Sequence, residues 1–216
     1  MKEKLKEIIF STYILIFISL ISILIVLNST FIYRIFISLF NLEKYTGISP
    51  DNLMIDYKRI INYLNNPFNN NLEFENFSMS YNGAYHFLEV KNIIFKIQIL
   101  FIAFCIIALV LYKMKKRNAI TFSMEGFEYL FNITSIIFIL LLVGFCFDFS
   151  YIFEKFHKIL FNNDYWIFDK RVDPIITALP EEYFLVCGVI CILFILGTSL
   201  ILRLTYIRYK RKNLNL

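Results

Sequence analysis

Residues 1–27 read MKEKLKEIIFSTYILIFISLISILIVL, and whether this stretch is kept or removed decides the fold. Lys2, Lys4 and Lys6 ahead of an apolar run imitate a secretory leader. The run is longer than a leader's apolar core, and no small-residue cleavage site follows it, so it is expected to stay as a membrane-spanning helix. Three similar runs follow, giving expected spans at about 8–28, 93–112, 129–149 and 183–204. Each meets the roughly 20 apolar residues that a bilayer crossing needs. Composition agrees, with 58% hydrophobic residues and a mean hydropathy of +0.63, far above an ordinary soluble domain. The expected fold is therefore all-α: residues 1–216 form a single membrane domain of four transmembrane helices. The connections at about 30–92 and 150–182 form a small extracytoplasmic head of short helices, with a β-hairpin as one reading of its 74–91 stretch.

Orientation follows from the basic residues. Lys2, Lys4 and Lys6, then Lys113, Lys115, Lys116 and Arg117, then Arg208, Lys210, Arg211 and Lys212 make up half of the 22. They sit in short stretches next to spans, whereas the two long connections carry mixed, diluted charge. Short basic segments stay on the cytoplasmic side. Both termini and the 113–126 loop are thus expected in the cytoplasm of a multi-pass cell-membrane protein, with the long loops outside. The net charge of +5 then matches anionic lipid, and nothing else in the chain points to nucleic acid.

Cys105, Cys146, Cys187 and Cys191 all fall in expected spans, so neither a disulfide framework nor a metal-type spacing is present. The head is more informative. Ser49, Pro50 and Asp51 form a helix start, and Leu53, Tyr57, Ile60, Ile61 and Leu64 give that helix one apolar face. Asn82-Gly83 is a two-residue hairpin signal. The competing reading extends the second span upward as a helix, with His86 and Glu89 at i,i+3.

The chain has 2 histidines, and both fall in the expected outer connections. His157 lies inside the apolar stripe of Phe153, Phe156, Leu160 and Phe161, where a titratable group needs a reason. An interface histidine held by hydrogen bonds is the plain explanation. The acidic neighbours (Glu89 near His86; Glu154, Asp164, Asp169 and Asp173 near His157) make acid–base chemistry at neutral pH the sharper one. No nucleophile elbow, HExxH motif or phosphate-cradling glycine loop occurs, and no metal site is expected. A bis-histidine haem carrier and a non-catalytic accessory membrane protein remain as other readings.

Taken together, YTGISPDNL at 45–53 with INYL at 61–64, HFLEVK at 86–91 and FHKILFNNDYWIFDKRVDPIITALPEEYF at 156–184 resemble the lipoprotein intramolecular transacylase (Lit) family of Gram-positive bacteria. Phe156-His157, Trp166, Asp173 and Leu179-Pro180-Glu181 stand in the family's order. In the family's pattern a Glu precedes the first histidine and an Asp follows three residues later; here Tyr85 precedes His86, and Glu89 takes the later place.

The resemblance implies an O-to-N acyltransferase acting on diacylglyceryl-modified bacterial lipoproteins in membrane lipid, without a cofactor. It moves the sn-2 acyl chain of the S-diacylglyceryl cysteine onto that cysteine's α-amine, leaving a lyso-form lipoprotein. Attack closes an eight-membered ring within one molecule, so proximity replaces an activated serine or cysteine. His86 and His157 are the expected acid–base pair. Glu89 and Asp173 are candidates to orient a histidine or hold the ammonium; Tyr85, Trp166 and Arg171 are candidates to shape the site.

Overall fold

A computed structural model describes residues 2–119 and 124–214, with the side chains of residues 2, 3, 146 and 214 left out. Residues 120–123 of the expected 113–126 loop, and the side chain of Cys146, lie outside that description. The described residues form helices α1 (Lys2–Asn28), α2 (Thr30–Leu39), α3 (Leu42–Thr46), α4 (Pro50–Asn65), α5 (Tyr81–Lys116), α6 (Gly126–Leu160) and α7 (Glu181–Leu214). A 3-10 turn spans Pro174–Thr177, and there is no strand among the described residues. Four of the helices are long and apolar enough to cross a membrane. The chain divides into two compact units, one of Met1–Ile23, Ile99–Phe147 and Val189–Leu216, the other of Leu24–Gln98 and Asp148–Gly188.

In the first unit, small polar side chains join apolar helices. Ser11 donates to the Gly126 carbonyl at 2.7 Å, Ser22 to the Cys191 carbonyl at 3.0 Å, and Thr134 and Ser199 share a 2.8 Å bond. All four are buried. Small hydroxyls let helices approach closely where lipid provides no hydrophobic drive between them, each such bond adding roughly 0.6 kcal/mol. Tyr13 and Phe104 stack 5.0 Å apart, and the Tyr13 hydroxyl donates to the Phe104 carbonyl.

The second unit is a polar-capped, aromatic-cored assembly. Ser49 caps α4, accepting from the Asn52 amide, with Pro50 opening the helix. The buried face of α4 meets α2, whose Ile32, Tyr33, Phe36 and Ile37 are also buried. Tyr33 stacks on Tyr57 at 4.1 Å, and the Tyr57 and Tyr183 hydroxyls bond at 2.6 Å. Residues 66–80 have no regular structure, yet Asp56 pins them. Fully buried, it accepts from the Glu75 amide, the Asn76 amide and the Asn76 side chain at 2.6, 3.0 and 3.0 Å.

The hairpin reading of Asn82-Gly83 is not what forms. Both residues lie in the first turn of α5. A local turn preference loses here to a tertiary cap: Asp173, far along the chain, binds Ser80 and fixes the helix start. At 1.5 Å per residue the 36 residues of α5 run about 54 Å, well beyond the roughly 30 Å hydrocarbon core. The apolar run begins only at Ile93, so the turns bearing His86, Glu89 and Lys91 project past it.

Candidate active site

The histidines sit on two helices whose starts are separately built. At Asp148 the backbone of α6 leaves the helical region (φ −163°, ψ 92°). The Tyr151 amide donates to the Asp148 carboxylate at 2.9 Å, so Asp148 caps the length of helix that carries His157. The start of α5 is set by Asp173, almost fully buried, which accepts from the Ser80 amide at 2.7 Å and the Ser80 hydroxyl at 2.6 Å. The same hydroxyl accepts from the Gly83 amide at 3.0 Å. Gly83 is required by contact: a Cβ there would meet Asp173 Oδ1 and stand 3.1 Å from its Cγ.

With both helices fixed, the imidazole rings of His86 and His157 come to 5.9 Å between centroids. Aromatic rings enclose them. His86 meets Phe161 edge-on at 4.7 Å and Phe168 at 5.6 Å. The Trp166 indole stacks on His157 at 4.8 Å and 27°, while Phe153 lies 4.3 Å away. Each histidine is only 9% exposed.

Hydrogen bonds define the state of the pair. His157 Nδ1 lies 2.7 Å from the Phe153 carbonyl. A carbonyl only accepts, so Nδ1 carries the proton, and Nε2 of the neutral ring keeps a lone pair. His86 Nδ1 is buried without a hydrogen-bond partner. Burial first, and the neighbouring His157 second, push the His86 imidazole down to about 4. Burial also lowers His157, partly offset by the bond to Phe153. Both rings are therefore neutral at neutral pH, one with a lone pair to accept a proton and the other with a buried nitrogen to spare.

The other sequence candidates divide. Trp166 joins the cluster, and its Nε1 donates to the Asn163 carbonyl at 2.9 Å. Glu89 stands one turn after His86 and accepts from the Asn163 side chain at 2.8 Å. Both oxygens of Asp173 serve Ser80 and not a histidine. Tyr85 packs edge-on against Tyr165 at 5.3 Å. Arg171 is 88% exposed at its side chain and pairs with Asp169 at the surface. Glu154, three residues before His157, pairs with Lys158 instead. Among the described residues no set of three His, Cys, Asp or Glu groups is arranged to hold a metal.

Asn163 is the residue that sequence reasoning passed over. The stretch Asn162-Asn163 reads as a helix stop, which it is. Nothing local signals that Asn163 also ties Glu89 to the indole over His157. Phe161 already belongs to the apolar stripe read from the sequence, whereas Phe168, which meets His86 edge-on, lies beyond the helix and carries no such signal.

Comparison with known proteins gives one consistent answer. A family profile described as lipoprotein intramolecular transacylase Lit matches residues 8–184. The in meso structure of the membrane-integral lipoprotein intramolecular transacylase Lit from Bacillus cereus is similar at 33% identity and a TM-score of 0.85, covering 99% of this chain and 98% of that one. Two variants of the Bacillus cereus protein, each with a histidine replaced (by arginine or by alanine), match at 32% identity with TM-scores of 0.80 and 0.79. They cover 100% and 99% of this chain, and 95% and 96% of theirs. A search of curated proteins finds no match. Four membrane-crossing helices, a histidine pair in an aromatic enclosure and these likenesses converge: the chain belongs to the Lit family of membrane-integral lipoprotein intramolecular transacylases.

Proposed function

We propose that the enzyme transfers the sn-2 acyl chain of a lipoprotein's S-diacylglyceryl cysteine to the α-amine of the same cysteine, with His157 and His86 as the proton-transfer groups. The observation that carries this reading is the His86–His157 pair, 5.9 Å apart, neutral and closed off by aromatic rings. His157 Nε2, left with a lone pair by the Phe153 bond, takes a proton from the amine as the nitrogen attacks the ester carbon. The His86 ring, with Nδ1 unpartnered, donates to the developing oxyanion. On collapse the N–C bond remains and the C–O bond to glycerol breaks. The proton taken from the amine is returned to the glyceryl oxygen, leaving a hydroxyl. Atoms balance without water or any co-reactant, since the step is an isomerisation. Excluding water from the pair favours transfer to the tethered amine over hydrolysis.

Basic residues at both ends and at 113–117 support cytoplasmic termini and a single membrane domain whose spans cover about 8–28, 93–112, 129–149 and 183–204. On that reading the pair faces the outer leaflet, where a lipoprotein's diacylglyceryl group resides. The test is mass spectrometry of an N-terminal lipopeptide from cells lacking any transacylase, with and without this gene. One acyl chain moved to nitrogen at unchanged mass is expected; a lipopeptide that keeps its free amine despite good expression overturns the proposal.

A further inference from the structure

Buried carboxylate oxygens are nearly always bonded, so one that is not needs a partner from elsewhere. Glu89 holds such an atom. Its Oε1 accepts from Asn163 at 2.8 Å, while Oε2 is buried with no hydrogen-bond partner. Four other carboxylates of the second unit have partners. Asp173 is filled by Ser80, Asp169 by Arg171, Glu154 by Lys158, and Asp148 caps its helix. Among the described carboxylates near the histidines, Glu89 is the one with a buried oxygen that has no partner. Its position is fixed from two sides: it stands one turn after His86 on the same helix face. Asn163, which grips it, also receives the indole stacked on His157.

We propose that Glu89 Oε2 is the docking point for the substrate's α-ammonium, a primary-amine subsite beside the histidine pair. This rests on the acyl-transfer reading above and assigns the amine end of that substrate. Before attack the cysteine's N-terminus is a cation, and a dry aromatic enclosure would reject it without a counter-charge. A carboxylate held by one oxygen and open at the other supplies that charge. The ammonium releases one proton to the medium before attack; His157 takes the second as the N–C bond forms and returns it to the glyceryl oxygen. A longer Glu in this place reaches further from α5 than an Asp would, and Asn163 keeps it from swinging to solvent.

The experiment uses the full chain in lipid nanodiscs and an S-(dialkylglyceryl)cysteinyl peptide, ether-linked so that no acyl group can move. Its free-amine and N-acetyl forms are compared. Wild type is expected to bind the free-amine form about tenfold or more tightly, as a charge-assisted bond implies, and Glu89→Gln is expected to bind both alike. Equal binding by wild type, or a preference that survives in Glu89→Gln, overturns the subsite. The wild-type comparison needs no variant, so a poorly folding mutant leaves the question answerable. The ester form of the same peptide is assayed alongside. If wild type makes N-acyl product yet shows no amine preference, only the subsite falls; if it makes none, the acyl-transfer reading falls.

Discussion

His157 Nδ1 faces the carbonyl of Phe153, four residues earlier, across 2.7 Å. That one contact commits the ring proton to Nδ1 and leaves the lone pair on Nε2, the nitrogen that takes the amine proton in the proposed mechanism. It also explains why no carboxylate orients this histidine, although Glu154 is nearby in sequence. His157 lies three residues before Leu160, the last residue of α6.

Replacing His157 or His86 by Ala is expected to lower the acyl-transfer rate by about 10²–10⁴-fold each, the range for a positioned acid or base. In the proposed mechanism the two act as a unit, so the double variant is expected to be little slower than the worse single one. Single-turnover product formation by purified variants checks both statements.

Removal of the indole tests the stacking. Trp166→Ala is expected to cost about tenfold in kcat, through a His157 ring free to turn, with Trp166→Phe intermediate. A rate for Trp166→Ala equal to wild type would remove Trp166 from the site and leave it as a packing residue.

With only 2 histidines, NMR of 13Cε1-labelled protein gives two signals. Neither is expected to titrate above pH 6.5, and His86 is expected to have its midpoint near 4. The sign for stability follows. Below 6.5 the unfolded chain binds protons that the folded rings refuse, so folding weakens as pH falls from 6.5 towards about 4. For His86 this is on the order of 3 kcal/mol. Replacement of His86 by Phe is expected to shrink the fall in Tm between pH 7 and pH 4.5 relative to wild type.

Asp173→Ala strands the Ser80 amide and hydroxyl and frees the start of α5. A loss of about 2–4 kcal/mol in thermal stability is expected. Gly83→Ala drives a methyl into the same carboxylate and is expected to destabilise as well, although alanine is the better helix former. A Gly83→Ala protein more stable than wild type would contradict the packing described.

Much of this was legible in the sequence, for reasons that differ by residue. Apolar length announces the membrane helices, and Ser49-Pro50-Asp51 announces α4, because both signals are local. His86 and His157 stand out because titratable groups are rare in such a chain. Asn82-Gly83 misleads because its own preference is for a turn, while the helix there is imposed by Asp173 some ninety positions away. The roles of Asn163 and Asp56 are hidden for the same reason. Each is an ordinary polar residue whose value comes from a partner that only folding supplies. Helix α2 was missed because its apolar residues continue the first run with only Asn28, Ser29 and Thr30 between.

The most direct test gives the purified protein a lipopeptide whose sn-2 acyl chain alone is deuterated, in parallel with His86→Ala and His157→Ala. The expected result is label on the cysteine nitrogen with wild type, at unchanged total mass, and at least a hundredfold less with either variant. Label that stays on glycerol with wild type, or reaches nitrogen as fast in either variant, would contradict the histidine-pair mechanism.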